Sequence, residues 1–186
     1  MDLASAREFL RASLDQEKLR SLAEQIQVSR GENNATWDKA ARQTLLIHLD
    51  REFDTRFGGP PIGTICMEGE KSERRIPESW RIGKFFGSAT YPDGAIICED
   101  KAIALELDHG DKGSRLRNAL AKAAFAVQIG GYCECHLAYV WEKPESLRER
   151  TAAEKVILRR YKKNRKTFLH LVSYAPARRP ARFHVS

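Results

Sequence analysis

Asp93, Glu106 and Asp108 are the residues of this chain whose types and spacing could do chemistry. They stand in the stretch 91–110, YPDGAIICEDKAIALELDHG, where one aspartate opens an apolar run and two further acids interrupt a second. In a strand, side chains two apart share a face. Glu106 and Asp108 therefore point the same way, with Ala102 and Ala104 behind them, while Ile103, Leu105 and Leu107 line the opposite, core-facing side. A tight polar turn at Glu99-Asp100-Lys101 pairs this segment with 95–98 as a hairpin and brings Asp93 alongside. Carboxylates held that close repel one another unless protons or a cation neutralise them. Hard divalent ions take oxygen ligands of this kind, so the pattern points to Mg²⁺, with Mn²⁺ able to substitute, held by Asp93, Glu106 and Asp108. The plainer reading is a solvated strand face with an Asp-Gly turn pair at 93–94, and spacing alone leaves both open.

The elements that must position these acids follow from periodicity. Apolar residues at threes and fours predict a helix over 2–28, which SRGENNAT breaks. Thr36 is placed to cap a second helix over 37–53, and RFGGPPIG reads as a loop. Residues 65–90 read as an excursion with one short strand. After the hairpin, Ser114 is expected to cap a helix over 115–129 that Gly130 and Gly131 end. YCECHLAYVW reads as a strand, 146–161 as a helix and TFLHLVSY as a last strand. Hairpin, helix, strand, helix, strand describes an α/β fold with a mixed β-sheet flanked by helices.

At 186 residues the chain is expected to form one domain (1–186), with a helical part at 1–57, a core at about 85–142 and a basic part at 146–186. From Arg148 onward, twelve Lys or Arg face only Glu149 and Glu154, so this tail carries +10 and the rest of the chain −3. That asymmetry suits a polyanion, nucleic acid first and an anionic membrane second; a solubilising surface helix with a basic tail is the bland alternative. Arg159, Arg160, Lys162, Lys163, Arg178 and Arg179 are the residues expected to grip phosphates. No apolar run is long enough for a membrane span, and the N-terminus lacks the apolar block of a signal peptide. Cys66, Cys98, Cys133 and Cys135 fall mainly in apolar segments, which fits reduced thiols and a cytoplasmic location. The Cys133-x-Cys135 spacing is too short for a structural zinc site and reads as two core thiols facing one way.

Pro92-Asp93, twelve further residues, then Glu106-Leu107-Asp108 resembles the PD-(D/E)xK motif of the restriction-endonuclease-like nucleases. In that family the aspartate opens one strand, the (D/E)xK lies on the next, and a helix and another strand follow. The match spans about residues 85–142, and its specificity comes from this order rather than from the short motif. The resemblance implies a Mg²⁺-dependent endodeoxyribonuclease acting on DNA, a homodimeric type II restriction enzyme first and a repair or mobile-element nuclease second. A nuclease-like module that binds nucleic acid without cutting it is the alternative of a different class. One departure is plain, because Asp108 stands where the family carries its lysine. Lys112, in the loop HGDKG, could supply that charge instead, set against the plainer reading of a solvated loop lysine.

Overall fold

The computed structural model describes residues 1–33, 36–70, 72–85, 88–142, 159–163 and 166–174. Helices α1 (Leu3–Ser13), α2 (Gln16–Asn33) and α3 (Trp37–Phe57) come first, followed by strand β1 (Ile65–Met67). Two 3₁₀ turns and a two-stranded ribbon, β2 (Gly83–Phe85) with β3 (Ser88–Thr90), lead to the hairpin β4 (Gly94–Cys98) and β5 (Lys101–Gly110). Helix α4 (Gly113–Gln128), β6 (Glu134–Trp141) and β7 (Thr167–Ser173) complete the order. The main sheet runs β1-β4-β5-β6-β7, antiparallel through β5 and parallel from β5 to β7. It is a mixed sheet flanked by helices, the α/β architecture that the periodicity predicts.

Alternation along β5 explains the layers. Ile103, Leu105 and Leu107 join Ile96, Ala138 and Val140 in a core shared with α1, α2 and α3. Ala102 and Ala104 face the other way, into a core where Leu116, Ala119, Leu120, Ala123 and Ala126 of α4 cover Cys135, Leu137 and Tyr139 of β6. The three alanines let α4 lie close on the sheet. Helix α4 therefore roofs the face of β5 that carries Glu106. Gly94 answers another close approach: a Cβ there would stand 2.6 Å from Met67 Sδ and 3.3 Å from the Cys66 carbonyl oxygen, so the Met67 side chain would have to move for β1 to stay beside β4.

Several boundaries differ from the sequence reading. The first predicted helix is two, because Asp15 starts a new one: its Oδ1 accepts the Lys18 amide at 2.9 Å and its carbonyl accepts the Leu19 amide. Helix α2 then runs through Gly31 to Asn33, where a single interior glycine costs only about 1 kcal/mol. Thr36 does cap α3, which continues a turn past Phe53 to close at Gly58 in the left-handed region (φ 70°). The stretch 65–90 holds three short strands rather than one. The hairpin turn is only Glu99-Asp100, with Glu99 at φ 51°, because Lys101 already pairs with Cys98. Ser114 is inside α4, whose N-cap position belongs to Lys112 and has no side-chain cap bond. Cys133 precedes β6 and packs with the α1–α3 core whereas Cys135 packs under α4, so the two thiols do not face one way. No described helix is long and apolar enough to cross a membrane.

Candidate active site

The register of the hairpin sets the site. Gly94 pairs with Leu105, so Asp93, one residue before the ladder ends, stands level with Glu106. Directly opposed residues of an antiparallel pair share a face with their Cβ atoms about 5 Å apart. Asp93 is further fixed by two hydrogen bonds. The Leu107 amide donates to its Oδ2 at 2.9 Å, and the Glu68 amide donates to its backbone carbonyl at 2.9 Å. The acid is thereby tied to β5 on one side and to the end of β1 on the other.

Glu106 is 2% exposed, under α4 and over Ala104, Cys135 and Leu137. The cation that meets it comes from the helix. Lys122 Nζ lies 2.6 Å from Glu106 Oε2 and 3.5 Å from Asp93 Oδ1, so one ammonium bridges both carboxylates. Glu106 Oε1 has no hydrogen-bond partner among the described residues. Burial pushes the Glu106 carboxyl well above its ordinary value, the charge of Asp93 adds to this, and Lys122 works against both. Burial also opposes the charge on Lys122, but the two carboxylates outweigh it and hold the ammonium above the usual lysine range. Two acids around one base leave a net negative, water-poor site, and its open lone pairs suit a cation with oxygen ligands.

Asp108 shares the face of Glu106, as alternation requires, but its Oδ1 accepts the adjacent His109 amide at 2.7 Å. Burial raises its carboxyl above the ordinary value, and Lys122 and Asp93 act on it only through their charge. Among the described residues no three His, Cys, Asp or Glu side chains assemble as one metal-holding group. The structure thus brings Asp93 and Glu106 together with Lys122 and leaves Asp108 beside them. Lys112 is exposed at the start of α4 and makes no ion pair with either acid among the described residues. His109 points to the opposite side of the sheet, where it contacts Glu142 Oε1 at 2.7 Å and stacks on Trp37.

Lys122 is the candidate-site residue that the sequence reading missed. A signal was available: in LAKAAFA it is the sole charge among small residues, three after Ala119 and four before Ala126, at the margin of the buried helix face. Beside Asp93 a cavity of about 440 Å³ opens, lined by Glu68, Glu70, Arg75, Ile76 and Tyr91, and Arg42 pairs with Glu68 at its rim. Of the basic tail, Arg159, Arg160, Lys162 and Lys163 lie on a helical segment with exposed side chains, and Lys162 Nζ sits 5.8 Å from the Phe168 ring centre. Arg178 and Arg179 lie outside the described residues, as does most of the helix expected over 146–161. No family model matches the chain, and no curated protein or solved structure gives a significant match.

Proposed function

We propose that the chain is a metal-dependent endonuclease that hydrolyses phosphodiester bonds in DNA. The observation that carries this reading is the bridge from Lys122 to both Asp93 and Glu106, two acids on paired strands and one base on the helix that roofs them. It supports the resemblance to the PD-(D/E)xK nucleases where the motif itself is weakest, because Lys122 offers from α4 the positive charge that Asp108 cannot.

The residues fit a divalent ion, since Glu106 Oε1 is a buried acceptor without a hydrogen-bond partner among the described residues and Asp93 Oδ1 meets the Lys122 ammonium at the longer distance of 3.5 Å. Asp93 and Glu106 would hold Mg²⁺ or Mn²⁺, which when bound supplies Lewis-acid neutralisation of the phosphate and acidifies water. Asp93 is held for that task by the Leu107 amide, which fixes Oδ2 and leaves Oδ1 turned toward Lys122. Lys122 Nζ donates to a non-bridging phosphate oxygen, where negative charge grows as water attacks phosphorus. The apolar floor of Ala104, Cys135 and Leu137 keeps the dielectric low and strengthens each of these interactions. Arg159, Arg160, Lys162 and Lys163, with Arg178 and Arg179, would hold neighbouring phosphates without reading sequence.

The ion pair between Lys122 and Glu106 also fits a second reading, a DNA-holding module in which the ammonium permanently fills the cation's place. Incubation with supercoiled plasmid in Mg²⁺, Mn²⁺ or EDTA separates the two. Metal-dependent cleavage lost in Asp93→Asn supports the nuclease. Discrete products would indicate a type II restriction enzyme, homodimeric in this reading, and a smear a less specific repair-type nuclease. DNA binding with no cleavage in either metal leaves the module.

A further inference from the structure

Helix α4 carries more than Lys122 past the acids. Its sixteen residues contain Arg115, Arg117 and Lys122 and no carboxylate. Arg115, Lys122 and Ile129 recur at intervals of seven, two helical turns, and Asn118 and Phe125 fall one turn from Lys122 on either side. All five reach the surface, Phe125 to 48% and Ile129 to 57%, although the opposite face of the helix is fully packed. The result is a ridge with cations at Arg115 and Lys122 and apolar side chains at Phe125 and Ile129, and its middle residue carries the ammonium inserted between Asp93 and Glu106.

We infer that this ridge is the track for an unpaired DNA strand, with a base stacked on Phe125 beside Ile129 and phosphates held by Arg115 and Lys122. The inference rests on the nuclease reading and adds the substrate class: single-stranded or locally unpaired DNA in preference to continuous duplex. Charge supports it, since α4 carries no acid and its exposed Arg115 and Arg117 attract a polyanion to the N-terminal half of the ridge. Geometry supports it too. Phe125 lies about 4.5 Å along the helix axis from Lys122, close to the roughly 3.4 Å step between successive nucleotides of a strand. Any strand whose phosphate reaches Lys122 has its neighbouring base within reach of the ring. A base can offer its face to that ring only when it is released from its own stack, as in unpaired DNA.

Fluorescence and affinity of a single-stranded oligonucleotide containing 2-aminopurine, measured in EDTA, test this without cleavage. Wild type is expected to quench the probe and to bind it more tightly than the matching duplex. Phe125→Ala should weaken binding on the order of tenfold or more and relieve the quenching, while Phe125→Trp should retain both. Because Phe125 is half exposed, thermal melting should not change. Equal binding by Phe125→Ala and wild type overturns the inference, as does a wild-type preference for duplex. A change of oligomeric state in Phe125→Ala also overturns it, by assigning the ridge to a second copy of the chain. If wild type cuts plasmid with Mg²⁺ and Phe125→Ala binds the probe normally, the inference falls and the nuclease reading stands. If wild type neither binds nor cuts, the nuclease reading falls with it.

Discussion

Lys122 Nζ on helix α4 meets Glu106 Oε2 on strand β5 at 2.6 Å, and the glutamate is 2% exposed while its partner side chain remains 47% exposed. The two ends of this pair are thus in different media. Glu106 cannot leave the interior, whereas Lys122 can swing toward solvent or toward a substrate. An acid buried in the interior and paired with a half-exposed ammonium is a site where charge can be exchanged, and the carboxylates and the basic tail each carry a measurable consequence.

Replacing Glu106 should stabilise the protein in the absence of metal. The folded state holds the Glu106 proton more tightly than the unfolded chain, whose glutamates titrate near about 4.3. In the window above that value the folded state binds more protons, so wild-type stability falls as pH rises. Glu106→Gln removes this dependence. Its melting temperature should exceed that of wild type at pH 7 by more than at pH 4, each kcal/mol being worth about 2–4 °C in a chain of this size. Added Mg²⁺ should raise the melting temperature of wild type and not of Glu106→Gln. A variant that melts lower at pH 7 than at pH 4, relative to wild type, would contradict the burial argument.

Asp93 and Asp108 should separate cleanly. Asp93→Asn keeps an acceptor for the Leu107 amide but removes a charge from the site, and should cost cleavage about 10²-fold or more without unfolding the chain. Asp108→Asn still accepts the His109 amide and touches neither Lys122 nor the other acids directly, so its effect on cleavage should stay within about tenfold. Single-turnover rates on one plasmid decide this. Equal effects of the two substitutions would return Asp108 to the metal site.

Neutralising Arg159, Arg160 and Lys163 together should weaken binding to all DNA sequences alike. The slope of log affinity against log salt should become shallower by about 0.9 for each phosphate that the variant no longer neutralises. An unchanged slope would reduce this exposed segment to a solvated helix face.

How much of this was legible before folding depends on how local each interaction is. Asp93 and Glu106 could be placed together because a short turn and strand alternation fix which residues oppose each other and which face they take. That this face is buried could not be read from β5, whose acids suit a solvated surface equally well. It follows from α4 settling on the sheet through the alanines Ala119, Ala123 and Ala126, a packing of one element on another that the period of neither strand nor helix displays. Lys122 was missed for the same reason, since only that packing carries it to the acids. The split between α1 and α2 was hidden because Leu14 keeps the helical period while Asp15 starts a new helix. In residues 65–90, strands of three residues are too short to display any period.

Whether Lys122, Asp93 and Glu106 form one catalytic centre is tested most directly by Lys122→Met. Methionine keeps the length and apolar stem of lysine and removes only the ammonium. With DNA saturating and Mg²⁺ present, the single-turnover cleavage rate should fall about 10²-fold or more. The folded structure should persist, and Lys122→Arg should recover part of the rate. A Lys122→Met enzyme that cuts within about threefold of wild type would show that the ammonium bridging Glu106 and Asp93 is a structural ion pair and that the chemistry lies elsewhere.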